Sequence, residues 1–270
     1  MVKKLIKWSL VLGLLSGCAS DQVEKPATTQ GSIKSPSSLI RVAQKARKTG
    51  NPESAINFYN KALEISPENS EAYLGIAEAY IDLKLLDAAL EYIRKAEIRG
   101  GDKGVASYLK GKVYLLLGKI DRAEKEFKDS KTIDSLNALG AIYDNRGDHQ
   151  KAQQYYKQVI TKDPEYIDAY NNMGLSLMLE GKYRDAIFYL ENACTLPDAG
   201  VIYRSNLALV YGLAGNMRKA QEIYSKDFEG TELEQKIAYL QDLIAARSRS
   251  KNVKSAKSAK KTSNVRKKRK

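Results

Sequence analysis

Five columns of residues recur along this chain at a nearly fixed interval, and few folds can satisfy such a pattern. A small residue stands at Ala43, Ala77, Gly111, Gly140, Gly174 and Ala208, and an alanine at Ala55, Ala89, Ala123, Ala152, Ala186 and Ala220. Both columns advance by 34, 34, 29, 34 and 34 residues. Three more keep that register: Ala46, Tyr80, Tyr114, Tyr143, Leu177, Tyr211; then Gly50, Lys84, Gly118, Gly147, Gly181, Gly215; then Tyr59, Ile93, Phe127, Tyr156, Leu190, Tyr224. The order within one period describes two short amphipathic helices joined by a turn at the glycine column. Small residues let the helices approach where they cross, and the bulky ones fill the seam. A single pair of this kind leaves one face wet, so each needs copies of itself on either side.

This period and order resemble the tetratricopeptide repeat. The resemblance implies an all-α protein, an α-solenoid of six helix pairs over residues 37–230. Ser37 is the expected N-cap of the first helix. Pro67, Pro164 and Pro197 close the second helices of repeats one, four and five. The step of 29 falls in repeat three and calls for a shorter second helix or a tighter turn. After the last repeat, Leu233, Ile237, Leu240, Leu243 and Ile244 keep helical spacing, with Thr231 and Glu234 as a capping box; residues 231–246 are expected to lid the array. Residues 247–270 have too few apolar side chains to bury a core, and are expected to form a disordered basic tail.

The formal charge of +13 belongs to the ends of the chain. Lys3, Lys4 and Lys7 lie at the start, and twelve Lys and Arg fall between Arg247 and Lys270 with no acid among them, which leaves the repeat body slightly acidic. That tail is expected to touch anionic surfaces, while no specific nucleic acid is expected as a partner. At the other end, a basic start and an apolar run from Trp8 to Leu15 precede Leu15-Ser16-Gly17-Cys18. The run is far below the ~20 residues that span a bilayer, and reads as an export signal over residues 1–17. Its ending resembles the bacterial lipobox, which implies acylation of Cys18 and anchoring by several chains, stable where one would be marginal. Ala19 at the second mature position favours the outer membrane, facing the periplasm, because the sorting rule of enterobacteria retains aspartate at that place in the inner membrane. Residues 18–36 are rich in Thr, Ser, Gln, Gly and Pro, and read as a flexible tether.

Catalytic constellations are missing from the sequence. The lone histidine, His149, lies in an inter-helix turn, and the second cysteine, Cys194, reads as a small buried hydrophobe beside Ala193. No cofactor, metal site or enzymatic activity is expected. Binding is expected in the groove lined by the first helix of each pair. Its candidate contacts are Tyr108, Asn137, Asn171, Asn172, Leu175, Met178 and Asn206, the amides gripping an extended peptide and Leu175 with Met178 holding an apolar side chain. For Asn172 and Asn206 a hydrogen-bonded ladder between adjacent repeats is an equal reading.

The segments Tyr143-Asp-Asn-Arg-Gly147-Asp-His149, Asn171-Asn-Met-Gly-Leu-Ser176-Leu177 and Arg204-Ser-Asn206-Leu-Ala208-Leu-Val-Tyr211-Gly-Leu-Ala-Gly215 resemble the TadD family, tetratricopeptide lipoproteins of the tight-adherence (Flp pilus) machinery. The resemblance covers residues 37–244. It implies an outer-membrane lipoprotein that supports pilus or secretion assembly proteins, the secretin among them, without catalysis; the basic tail departs from the family pattern. A pilotin-like repeat lipoprotein of a type IV pilus or type II secretion system is the alternative. A nucleic-acid-associated scaffold acting through the tail is a third reading, and requires the export signal to be false.

Overall fold

The computed structural model describes residues 35–197 and 199–267, with side chains described as far as Arg249. The export signal, Cys18 and most of the tether therefore lie outside the described residues. Cα packing divides the chain into two compact units, one holding the described residues up to Arg146 together with 161–163, the other Gly147–Ile160 and Pro164 onward. All regular structure among the described residues is helical.

The first unit contains α1 (Pro36–Lys48), α2 (Pro52–Ile65), α3 (Ser70–Asp82), α4 (Leu86–Ile98), α5 (Lys103–Leu116), α6 (Ile120–Ser130) and α7 (Ile133–Arg146). Consecutive helices pack as pairs, α1 on α2, α3 on α4 and α5 on α6, and each second helix packs on the first helix that follows. The second unit contains α8 (His149–Lys162), α9 (Ile167–Glu180), α10 (Tyr183–Thr195), α11 (Val201–Leu213), α12 (Met217–Tyr224) and α13 (Gly230–Lys267). Here α9 packs on α10, α10 on α11, α11 on α12, and α13 on both α11 and α12.

The columns become the packing. Ala55, Ala89, Ala123, Ala152, Ala186 and Ala220 are all 0% exposed. At Gly111 an added Cβ would stand 2.5 Å from the Phe127 ring, and at Gly174 2.6 Å from Leu190 Cγ, so the small residue of one helix receives the bulky residue of its mate. The turn column is left-handed throughout: its five glycines have φ between 71° and 95°, and Lys84 adopts 59°. A side chain is unfavourable in that region, which is why glycine dominates there.

Repeat three shows how a five-residue deficit is absorbed. Its second helix, α6, has 11 residues and ends on Lys131 in the left-handed region, φ 57°. The connection to α7 is held by Ser130 Oγ donating to the Gly104 carbonyl at 2.7 Å and by Thr132 Oγ1 donating to Ser135 Oγ at 2.9 Å. Both the shorter helix and the tighter turn are present.

Three expectations are corrected. The first helix is capped by Ser35 rather than Ser37, because Pro36 suits the first helical position and Ser35 and Ser38 form a reciprocal capping box. Cys194 is half-buried rather than buried, although that burial is enough to raise its thiol pKa. The last helix begins at Gly230, not Thr231, and does not end at 246, since its backbone continues to Lys267. No glycine or proline follows Gly230, and Lys, Arg and Ala are good helix formers, so nothing in the local sequence stops it. The lid itself is as expected: Leu240 and Leu243 are buried, and Leu240 lies directly over Gly212.

Candidate protein-interaction surfaces

The groove candidates divide by fate. Asn137, Asn171, Asn172 and Met178 are buried, at 2%, 8%, 7% and 4% exposure, whereas Tyr108, Leu175 and Asn206 are half-buried. Asn206 Nδ2 donates to Asn171 Oδ1 at 2.8 Å, and Asn171 Nδ2 donates to Asn172 Oδ1 at 3.3 Å. One helical turn earlier on the same two helices, the Tyr203 hydroxyl donates to Asp168 Oδ1 at 2.8 Å. These bonds make the side-chain ladder between α9 and α11 that the sequence offered as an alternative, and they engage both ends of the Asn171 amide. Tyr108 packs its ring 6.0 Å from that of Phe127, with Lys112 above it.

A second surface lies on the other side of the same repeats. Between α8 and α10, with α9 as floor, is a cleft of 530 Å³ lined by Gln153, Lys157, Met173, Leu177, Phe188 and Tyr189 among others. Met173 and Leu177 are buried at its base. On one wall Gln153 Nε2 donates to Ser176 Oγ at 3.3 Å and to Glu180 Oε2 at 2.7 Å, and Lys182 Nζ pairs with that same carboxylate oxygen at 3.0 Å. On the other wall Phe188, 61% exposed, meets Tyr189 edge-on with ring centroids 5.3 Å apart. An apolar floor, an aromatic wall and a polar rim are what a peptide side chain needs to be held and oriented. Of this lining only Leu177 belongs to a column, and the columns mark buried positions, so they did not point to Phe188, which falls between two of them. Its signal was a large aromatic at the solvent-facing phase of an amphipathic helix.

The groove face of α11 is covered from within the chain. Leu240 of α13 sits against Gly212, and the Arg247 guanidinium lies 4.6 Å from the centre of the Tyr183 ring, above the turn at Gly181. In the first unit the side-chain chemistry concentrates on Glu124, which accepts from the Tyr143 hydroxyl at 2.5 Å and pairs with Lys128 at 2.6 Å and with Arg146. Desolvation pushes this carboxyl up, but the hydrogen bonds from Lys128, Tyr143 and Arg146 outweigh it and bring its pKa down to about 2. No group of metal-binding side chains exists among the described residues, and no described helix is long and apolar enough to cross a membrane.

Family models described as tetratricopeptide repeat match residues 46–103, residues 133–166, and residues 106–135 with 167–198. The BBSome complex member BBS4 homolog of Drosophila melanogaster is 27% identical over 174 residues, covering 64% of this chain and 30% of its own length. The chain spans about a third of the length of such curated relatives. Among solved structures, PilW, a widely conserved type IV pilus biogenesis factor, superposes with a TM-score of 0.60 at 20% identity, over 76% of this chain and 99% of PilW. Pseudomonas aeruginosa pilF gives the same TM-score of 0.60 at 15% identity, over 76% of this chain and 96% of pilF. At these identities the likeness is one of fold.

Proposed function

We propose, from the premise that the chain belongs to the tetratricopeptide repeat family, that it is a non-catalytic protein-binding scaffold anchored by lipid on Cys18 in the outer membrane, facing the periplasm, where it supports assembly of a Tad/Flp-type pilus or secretion apparatus. The observation that carries this reading is the Leu15-Ser16-Gly17-Cys18 motif after an apolar run, joined to a body made of binding repeats. The TadD-like segments between Tyr143 and Gly215 support the pilus assignment, and the cleft beside Phe188 supplies a surface for the partner.

The pilotin-like reading is favoured by one observation, that PilW and pilF share the fold along almost their whole lengths. The two readings part on which secretin copurifies with the acylated protein from membranes. In cells, Cys18→Ser should leave the outer-membrane fraction; retention there with unchanged mass overturns the lipid anchor. Pilus assembly in a strain lacking the protein should be restored by the wild type and not by Phe188→Asp, an exposed change that should leave the melting temperature nearly unaltered. Full restoration by Phe188→Asp moves the binding surface away from the cleft.

A further inference from the structure

The residue under Leu240 is unusual for its place. Gly212 falls in the column of Ile81, Leu115, Asp144 and Met178, at the same 34- and 29-residue steps as the others, and alone in that column lacks a side chain. The gap forms a notch on the groove face of α11. Leu240 fills it: an added Cβ at Gly212 would overlap the leucine side chain, and Leu240 is 0% exposed. Seven residues on, Arg247 stacks on Tyr183 at the α9–α10 turn. Positions i and i+7 share a helix face about 10 Å apart, so α13 reads two features of the repeats with one stripe, an aliphatic side chain in a notch and a cation on an aromatic ring.

The attachment is narrow. Of the described α13 side chains only Leu240 and Leu243 are buried, and Tyr239 is 57% exposed. By contrast α11, which holds the equivalent place one repeat earlier, buries four residues although it is far shorter. A helix held by a single thin stripe belongs to the low-stability end of a fold and opens without the rest unfolding.

We infer that the notch at Gly212 and the ring of Tyr183 form a helix-binding site, and that α13 occupies it as an intramolecular ligand which a partner helix of the same pattern displaces. The partner is an amphipathic helix with a branched aliphatic residue followed two turns later by Arg or Lys. This rests on the reading of the chain as a protein-binding scaffold and specifies what one of its surfaces takes; it does not depend on export or on the pilus.

The test uses a labelled synthetic peptide of residues 230–249 and the full-length chain. Leu240→Ala with Arg247→Ala weakens the internal competitor, so fluorescence anisotropy should show the peptide binding this variant at least tenfold more tightly than the wild type. Adding Tyr183→Ala, or Gly212→Leu to fill the notch, should abolish the gain. Equal binding to wild type and double variant, or no binding to either, overturns the inference. Should the double variant unfold, hydrogen exchange on the unaltered chain decides. A peptide carrying Arg247→Lys, so that its mass differs from the chain's own segment, should in excess speed exchange at residues 232–247 and leave α9 and α10 protected. Exchange unchanged by the peptide means that α13 is a fixed cap.

Discussion

Lys84 holds a left-handed backbone where the other five repeats have glycine, and the penalty for a side chain there is roughly 1–2 kcal/mol. Part of any gain from glycine is lost to the freer unfolded chain, so Lys84→Gly should raise stability by about 0.5–1 kcal/mol in denaturant melts. Gly181→Ala, at φ 84°, should do the reverse and cost about 1–2 kcal/mol. Glu124 gives a pH signature. Its folded pKa of about 2 lies below the ordinary 4.5, so its contribution is complete above pH 4.5 and is lost as the pH falls toward 2. Melting temperatures measured across that window should fall more for the wild type than for Glu124→Gln. In sequence Glu124 and Lys128 are only an i, i+4 pair of the kind that contributes little on a solvated helix face. It did not show Tyr143 and Arg146 of α7 closing over the carboxylate, because that meeting depends on how one pair docks on the next.

The helix pair is the element that the sequence specified best. Every alanine of the second column is buried where helices cross, and Ala186→Leu should overpack its seam against Gly174 and cost about 1–3 kcal/mol in a thermal or denaturant melt. A melt unchanged by that substitution contradicts the register. Period alone located these crossings, since only small residues fit where backbones approach. The groove was less legible. Column position told which side chains face it, but whether Asn206 reaches a peptide or reaches Asn171 turns on a 2.8 Å distance that no spacing encodes. The cleft at Phe188 was harder still, being built by three helices at positions that vary between repeats. The end of α13 was misplaced for a different reason: loss of apolar pattern says that a helix has nothing to pack on, not that its backbone must stop.

On the scale of the molecule, positive charge is gathered at the C-terminal end, with twelve Lys and Arg from Arg247 to Lys270. Near an anionic membrane each contributes about 1 kcal/mol, within a Debye length of roughly 8 Å at physiological salt. Binding of the unacylated protein to vesicles containing phosphatidylglycerol should fall steeply between low and moderate salt and vanish when residues 247–270 are deleted. Binding that ignores salt, or survives the deletion, rules the tail out as a membrane contact. The chain also has a distinctive order of assembly. Its side-chain links between repeats, Arg47 to Asp82, Asp168 to Tyr203 and Asn171 to Asn206, join residues about one period apart. Such short separations make loop closure cheap in entropy and allow each pair to close once its own second helix is available. A polypeptide delivered N-terminus first can thus fold behind the point of delivery, without waiting for distant segments. Arg247 on Tyr183 joins residues nearly two periods apart and closes with the final helix, so the terminal helix docks last, and until it does the face of α11 stands open to whatever helix arrives first.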